Sequence, residues 1–74
     1  NIYPNPFSLS ATIDLPSPET YLISIYDIVG NKIRTLENIT GDRIKIKKDK
    51  LVKGIYFIEL KSKTKTFRTN FMIK

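Results

Sequence analysis

Apolar and polar residues alternate with a period of two along most of this chain, the pattern of strands that bury one face and wet the other. In "RIKIK", Ile44 and Ile46 point one way while Arg43, Lys45 and Lys47 point the other. "TYLISIYDI" gathers Tyr21, Ile23 and Ile25 on one face. Its opposite face, Leu22, Ser24, Tyr26 and Ile28, is too apolar for full solvation and predicts a central strand. "GIYFIELK" sets Tyr56, Ile58 and Leu60 against Ile55, Phe57, Glu59 and Lys61. The closing "TFRTNFMIK" sets Phe67, Thr69, Phe71 and Ile73 against Arg68, Asn70, Met72 and Lys74. "SATIDL" supplies Ala11, Ile13 and Leu15, and "NKIRTL" a shorter strand through Ile33 and Thr35.

Turn signals separate these runs: Pro4 to Pro6, Pro16 to Pro18, Val29-Gly30-Asn31, Thr40-Gly41-Asp42, Asp49 to Gly54, and Ser62 to Lys65. Gly30-Asn31 suits a tight turn that needs positive φ. No helical period persists over eleven residues, and "KKDKLVK" at 47–53 has room for one short turn. Six period-two segments, with the short "IY" before Pro4 as a seventh, predict an all-β, seven-stranded immunoglobulin-like β-sandwich. Its expected core is Ile13, Leu15, Tyr21, Ile23, Ile25, Ile33, Ile44, Ile46, Leu51, Tyr56, Ile58, Leu60, Phe67 and Phe71. The competing architecture is an OB-type barrel, which carries a helix between its third and fourth strands; no such segment is visible.

Seventy-four residues make one domain, spanning 1–74, near the lower limit at which one core offsets the entropy of ordering the chain. With no Cys and no His, neither a disulfide nor a zinc site supports it, so packing alone must. No apolar run approaches the ~20 residues of a membrane helix, so no transmembrane segment is expected. The chain begins with Asn1 instead of Met, which suggests a piece of something longer. The net charge of +6 sits in the second half, where residues 41–74 hold eleven Lys or Arg against three acids. Lysines on exposed strands deter edge-to-edge pairing, and a docking surface for an anionic partner is the other use of such charge.

Without His or Cys the commonest general base and the best thiol nucleophile are missing. The serines lack a partner base and stand in no Gly-x-Ser-x-Gly elbow. No Asp-x-Asp-x-Asp-Gly loop occurs; Asp42 and Asp49 read as turn residues, and Asp27 as a side chain that stabilises the following turn through backbone N–H groups. No catalytic residue, metal or cofactor is therefore expected. Binding of nucleic acid requires aromatic rings exposed beside cations, yet Tyr56 falls on the core face and only Phe57 points away. No nucleic-acid partner is expected.

Four segments, "IYPNPF", "IYDIVGNKI", "LVKGIYFIEL" and "KTFRTNFMIK", occur in this order. Together they resemble the type A C-terminal sorting domain of proteins exported by the type IX secretion system of Bacteroidota. The residues that carry the likeness are Pro4, Asn5, Pro6 and Phe7, then Asp27 and Gly30, then Gly54 and Tyr56. The resemblance implies a non-catalytic address label behind an N-terminal cargo domain. It also implies passage through the periplasm to the outer-membrane translocon and its shuttle proteins. A sortase-like cysteine protease would then remove the label and join the cargo to anionic lipopolysaccharide. Recognition would rest on the last strand, through Phe67, Arg68, Phe71, Met72, Ile73 and Lys74. The immunoglobulin-like domain of the flagellar hook-capping protein, which serves assembly, shares similar "NPF" and "YD..G" patterns and is the alternative family.

Overall fold

In the computed structural model, which describes residues 2–74, the alternation becomes seven strands. They are β1 (Ile2–Tyr3), β2 (Ser10–Asp14), β3 (Tyr21–Tyr26), β4 (Lys32–Ile39), β5 (Arg43–Lys47), β6 (Gly54–Lys61) and β7 (Thr66–Ile73). One sheet has the order β1-β2-β5 and the other β4-β3-β6-β7, and every pairing within them is antiparallel. The chain leaves the first sheet after β2, makes the β3–β4 hairpin in the second, and returns through β5. That three-plus-four crossover gives the all-β, seven-stranded sandwich of two antiparallel sheets expected from the sequence.

β3 is the central strand that its two-sided apolarity predicts, with Tyr21, Ile23 and Ile25 fully buried between β4 and β6. Ala11, Ile13 and Leu15 of the β2 segment face them from the other sheet, joined by Ile46 of β5. Two buried tyrosines satisfy their hydroxyls locally, as buried phenols must. Tyr21 Oη lies 2.8 Å from Ser17 Oγ and donates to the Ser17 carbonyl at 3.1 Å, while Tyr56 Oη donates to the Val52 carbonyl at 2.6 Å.

The core differs from the expected one at both ends of the chain. Phe7 and Ile73 are fully buried and belong to it, as does Ala11. Ile44 and Leu51 sit at its margin. Ile33 and Phe67 remain 38% and 37% exposed. Ile33 fails because β4 has the opposite phase: Arg34 pairs with Ile25 and Leu36 with Ile23, so even-numbered residues face inward. A bulge at Asn38, whose φ is 54°, then adds one residue and brings Ile39 onto the same face. Arg34 ends up at the seam between the sheets, donating to the carbonyls of Lys47 and Lys48 and lying 3.8 Å from Asp49. Phe67 fails because the sheet opposite β7 is narrow there. β1 is only two residues long, and Phe67 is left lining an open groove of about 350 Å³ with Ile13, Leu15 and Leu60.

Truncating Phe7 to Ala is expected to cost about 3–5 kcal/mol, whereas Phe67→Ala costs less than about 1 kcal/mol. Urea unfolding followed by circular dichroism separates the two; equal losses would contradict the burial described here.

Candidate functional site

β7 is the outer strand of the four-stranded sheet, hydrogen-bonded to β6 along its whole length from Thr66–Lys61 to Ile73–Gly54. Thr66 to Asn70 are all exposed, and from Phe71 onward its side chains divide by parity. Phe71 and Ile73 are buried in the core, whereas Arg68, Asn70, Met72 and Lys74 are exposed. Of the residues expected to carry recognition, Arg68, Met72, Lys74 and about a third of Phe67 are thus exposed, while Phe71 and Ile73 are buried and hold the strand in place. Met72 stands directly across from Ile55, and Phe57 across from Tyr26, so an apolar row crosses the outer face of the sheet. Arg68 Nε donates to Glu59 Oε2 at 2.8 Å beside that row, an exposed ion pair of small energetic weight.

The second edge of β7 is closed at one end and open at the other. Phe7 N–H donates to the Met72 carbonyl at 3.0 Å, Lys74 N–H donates to the Phe7 carbonyl at 3.0 Å, and Met72 N–H donates to Asn5 Oδ1 at 2.9 Å. The "YPNPF" segment therefore serves as a short parallel strand against the chain's last residues, with Phe7 and Ile73 as its bridge. Backbone polarity alternates along a strand, so the outward amides and carbonyls that Asn5 and Phe7 satisfy at Met72 recur at Asn70, Arg68 and Thr66. No strand of the sandwich covers those three. The prolines at 4 and 6 are exposed and suit this segment because a residue without an N–H leaves no donor to satisfy at a sheet margin. Only Phe7 anchors the segment in the core; Tyr3 lies on the surface with its hydroxyl on Asp14 at 2.9 Å, which raises the phenol pKa above its ordinary value.

The remaining motif residues shape the loops at the same end. Asp27 receives the N–H groups of Val29 and Asn31 at 3.1 and 2.8 Å and the Asn31 side-chain amide at 3.1 Å. These bonds, chiefly that from the Asn31 backbone, lower its carboxyl pKa. Gly30 has φ 96°, which a side chain would resist, so the sequence "YDIVGN" specifies this turn closely. Gly54, with φ 147°, swings the chain into β6, where Tyr56 stacks on Phe71 with centroids 5.5 Å apart.

Among the described residues no group of three or more Asp or Glu converges as a metal site would require. Tyr21 and Tyr56 are buried and offer no stacking face to a base. The site is thus a surface: a terminal strand locked to a sandwich, half of its edge open, with an apolar row beside it. The family of secretion system C-terminal sorting domains matches residues 1–74, and the chain belongs to it. Its role is that of a type IX C-terminal sorting signal, which marks a secreted or cell-surface protein. The chain is also 40% identical over 63 residues to an endo-acting ulvan lyase of Formosa agariphila. The match covers 84% of this chain and 12% of that relative.

Asn5→Ala is expected to cost about 1 kcal/mol and to speed hydrogen exchange at the Met72 amide while leaving the β3 amides protected. Unchanged Met72 exchange would contradict the clamp. Asp27 has a lowered carboxyl pKa, so its contribution is complete above the unfolded value and fades as pH falls through the folded one. Asp27→Asn should therefore melt below the wild type at neutral pH, with the gap closing below about pH 4. A gap independent of pH would exclude the charged cap.

Proposed function

We propose that this chain directs a much longer cargo, attached to its N-terminal side, through the outer-membrane type IX translocon, and that the machinery reads the outward half of β7. The observation that carries this reading is the state of that strand. Residues 66–70 keep an open backbone edge, Arg68, Met72 and Lys74 face outward, and Phe71 and Ile73 fix the strand to a sandwich that does not need the outward residues for packing. An open edge is suited to strand addition, in which main-chain bonds give affinity and alternate side chains give selectivity. Residues 1–74 act as one unit with no enzymatic role, consistent with the absence of His and Cys and with the family's description as a sorting domain. The partners on this reading are the translocon, its shuttle proteins and a sortase-like cysteine protease that exchanges the domain for a lipopolysaccharide anchor. The small share of the ulvan lyase that is matched supports a cargo far larger than the label.

The test fuses the chain to the C-terminus of a periplasm-targeted fluorescent reporter in a host with type IX secretion. Export is expected for the wild type and is lost in a combined Arg68→Glu, Met72→Ser, Lys74→Glu variant whose circular dichroism and melting remain those of the parent. Reporter retained in the periplasm with the wild-type chain would overturn the export role. Undiminished export of the folded variant would move recognition away from β7.

A further inference from the structure

The two ends of the sandwich differ in chemistry. Four large apolar side chains stand far out in solvent, Leu9, Ile28, Val29 and Val52, each 68–80% exposed, while the other exposed large apolar residues reach no more than 44%. All four lie on loops at one end. Leu9 precedes β2, Ile28 and Val29 join β3 to β4, and Val52 precedes β6. The pairings Ser10–Lys47, Tyr26–Lys32 and Gly54–Ile73 put these loops together with the end of β7. The opposite end, made of residues 15–20, 40–42 and 62–65, exposes no large apolar side chain.

The aliphatic loops are held in place, which distinguishes them from loose tips. The Leu9 carbonyl accepts the Lys48 N–H at 2.8 Å, the Val52 carbonyl accepts Tyr56 Oη, and Asp27 caps the turn that carries Ile28 and Val29. Around them stand Lys32, Lys47, Lys48, Lys50, Lys53 and Lys74. The acids at this end are Asp27, whose carboxylate is occupied by its own turn, and Asp49, which lies against Arg34.

From this arrangement we infer that the loop end docks on the surface of an anionic lipid bilayer, with the four aliphatic side chains entering the headgroup–acyl boundary and the lysines set over lipid phosphates. Protein interfaces are enriched in aromatic residues and Arg and depleted of Lys. This end has the reverse composition, with its four aliphatic side chains carried on three separate loops and Leu9 bordering an open hollow lined by Lys45, Lys47, Lys48 and Asp49. Shallow apolar insertion ringed by Lys is the composition of interfacial membrane binding, where apolar area and attraction to anionic lipid add. The inference is independent of how β7 is read by the export machinery.

The chain has no Trp, so a single introduced one reports its own surroundings. Val29→Trp and Val52→Trp are expected to show blue-shifted emission on adding vesicles of phosphatidylcholine with phosphatidylglycerol, and Lys63→Trp, at the far end, is expected to show none. In cosedimentation with the same vesicles, Leu9→Ser with Val29→Ser, and separately Lys50→Glu with Lys53→Glu, should weaken binding by about tenfold or more. Lys63→Glu with Lys65→Glu, an equal change in charge, should leave binding close to wild type. Phosphatidylcholine alone should bind far more weakly. No binding to the anionic vesicles, an equal shift at residue 63, or an equal loss from the two lysine pairs would overturn the inference.

Discussion

The packing of Phe7 against Phe71 is the contact on which the rest of this molecule depends. One ring comes from the segment before β2 and the other from the last strand; their centroids are 5.5 Å apart, and Tyr56 of β6 stacks on the far side of Phe71 at the same distance. An edge strand has one ladder of hydrogen bonds, and a strand at the end of a chain is prone to fray. Burying Phe7 pins the segment that supplies β7 with a second set of partners over Met72–Lys74. The same contact leaves residues 66–70 with one neighbour only. A single aromatic cluster thus divides β7 into a closed part and an open part, and the proposed recognition surface follows that division.

Most of the fold was legible because alternation has a phase, and the phase assigns faces. β6 and the inner residues of β2 follow it without exception, β3 departs from it only at Ser24, which is buried on the outer face, and the central position of β3 followed from apolar residues on both of its faces. β4 was misread because "KIRTLENI" spaces its aliphatics by three, at 33, 36 and 39, which no regular strand can place on one side. The bulge at Asn38 resolves the conflict for Leu36 and Ile39 and abandons Ile33. That choice is made by the partner strand, which is invisible in a local window. Phe67 shares the parity of Phe71, so alternation assigned it to the core. Its exposure reflects how little of the opposite sheet extends over that part of β7, a property of the two sheets together.

The same limit governs the functional surface. The turn at Asp27 was legible because Asp, Gly and Asn each have a local reason to be there, and the structure supplies the expected hydrogen bonds. The role of Asn5 was not, because its amide oxygen acts on Met72, 67 residues away along the chain. Reading Pro4 to Pro6 as a turn signal left Phe7 out of the expected core and was silent about what the segment pairs with. A signal was nevertheless present: an apolar aromatic directly after a proline turn, and a chain end rich in strand formers, each lacking an evident neighbour.

Strand direction adds a further constraint. β1 runs toward the apolar, basic loop end, since Tyr3 pairs with Thr12 and Ile2 with Ile13 while Ser10 lies at that end. Ile2 therefore lies toward the opposite, polar end, on the side of residues 15–20 and 40–42. β7 runs the same way, and its closing residues emerge among the aliphatic loops. A domain attached upstream would thus stand clear of both the chain's last residues and the protruding Leu9, Ile28, Val29 and Val52. The sandwich is about 31 Å in its longest dimension. On the proposed reading, that separation keeps the surface to be read independent of what is attached.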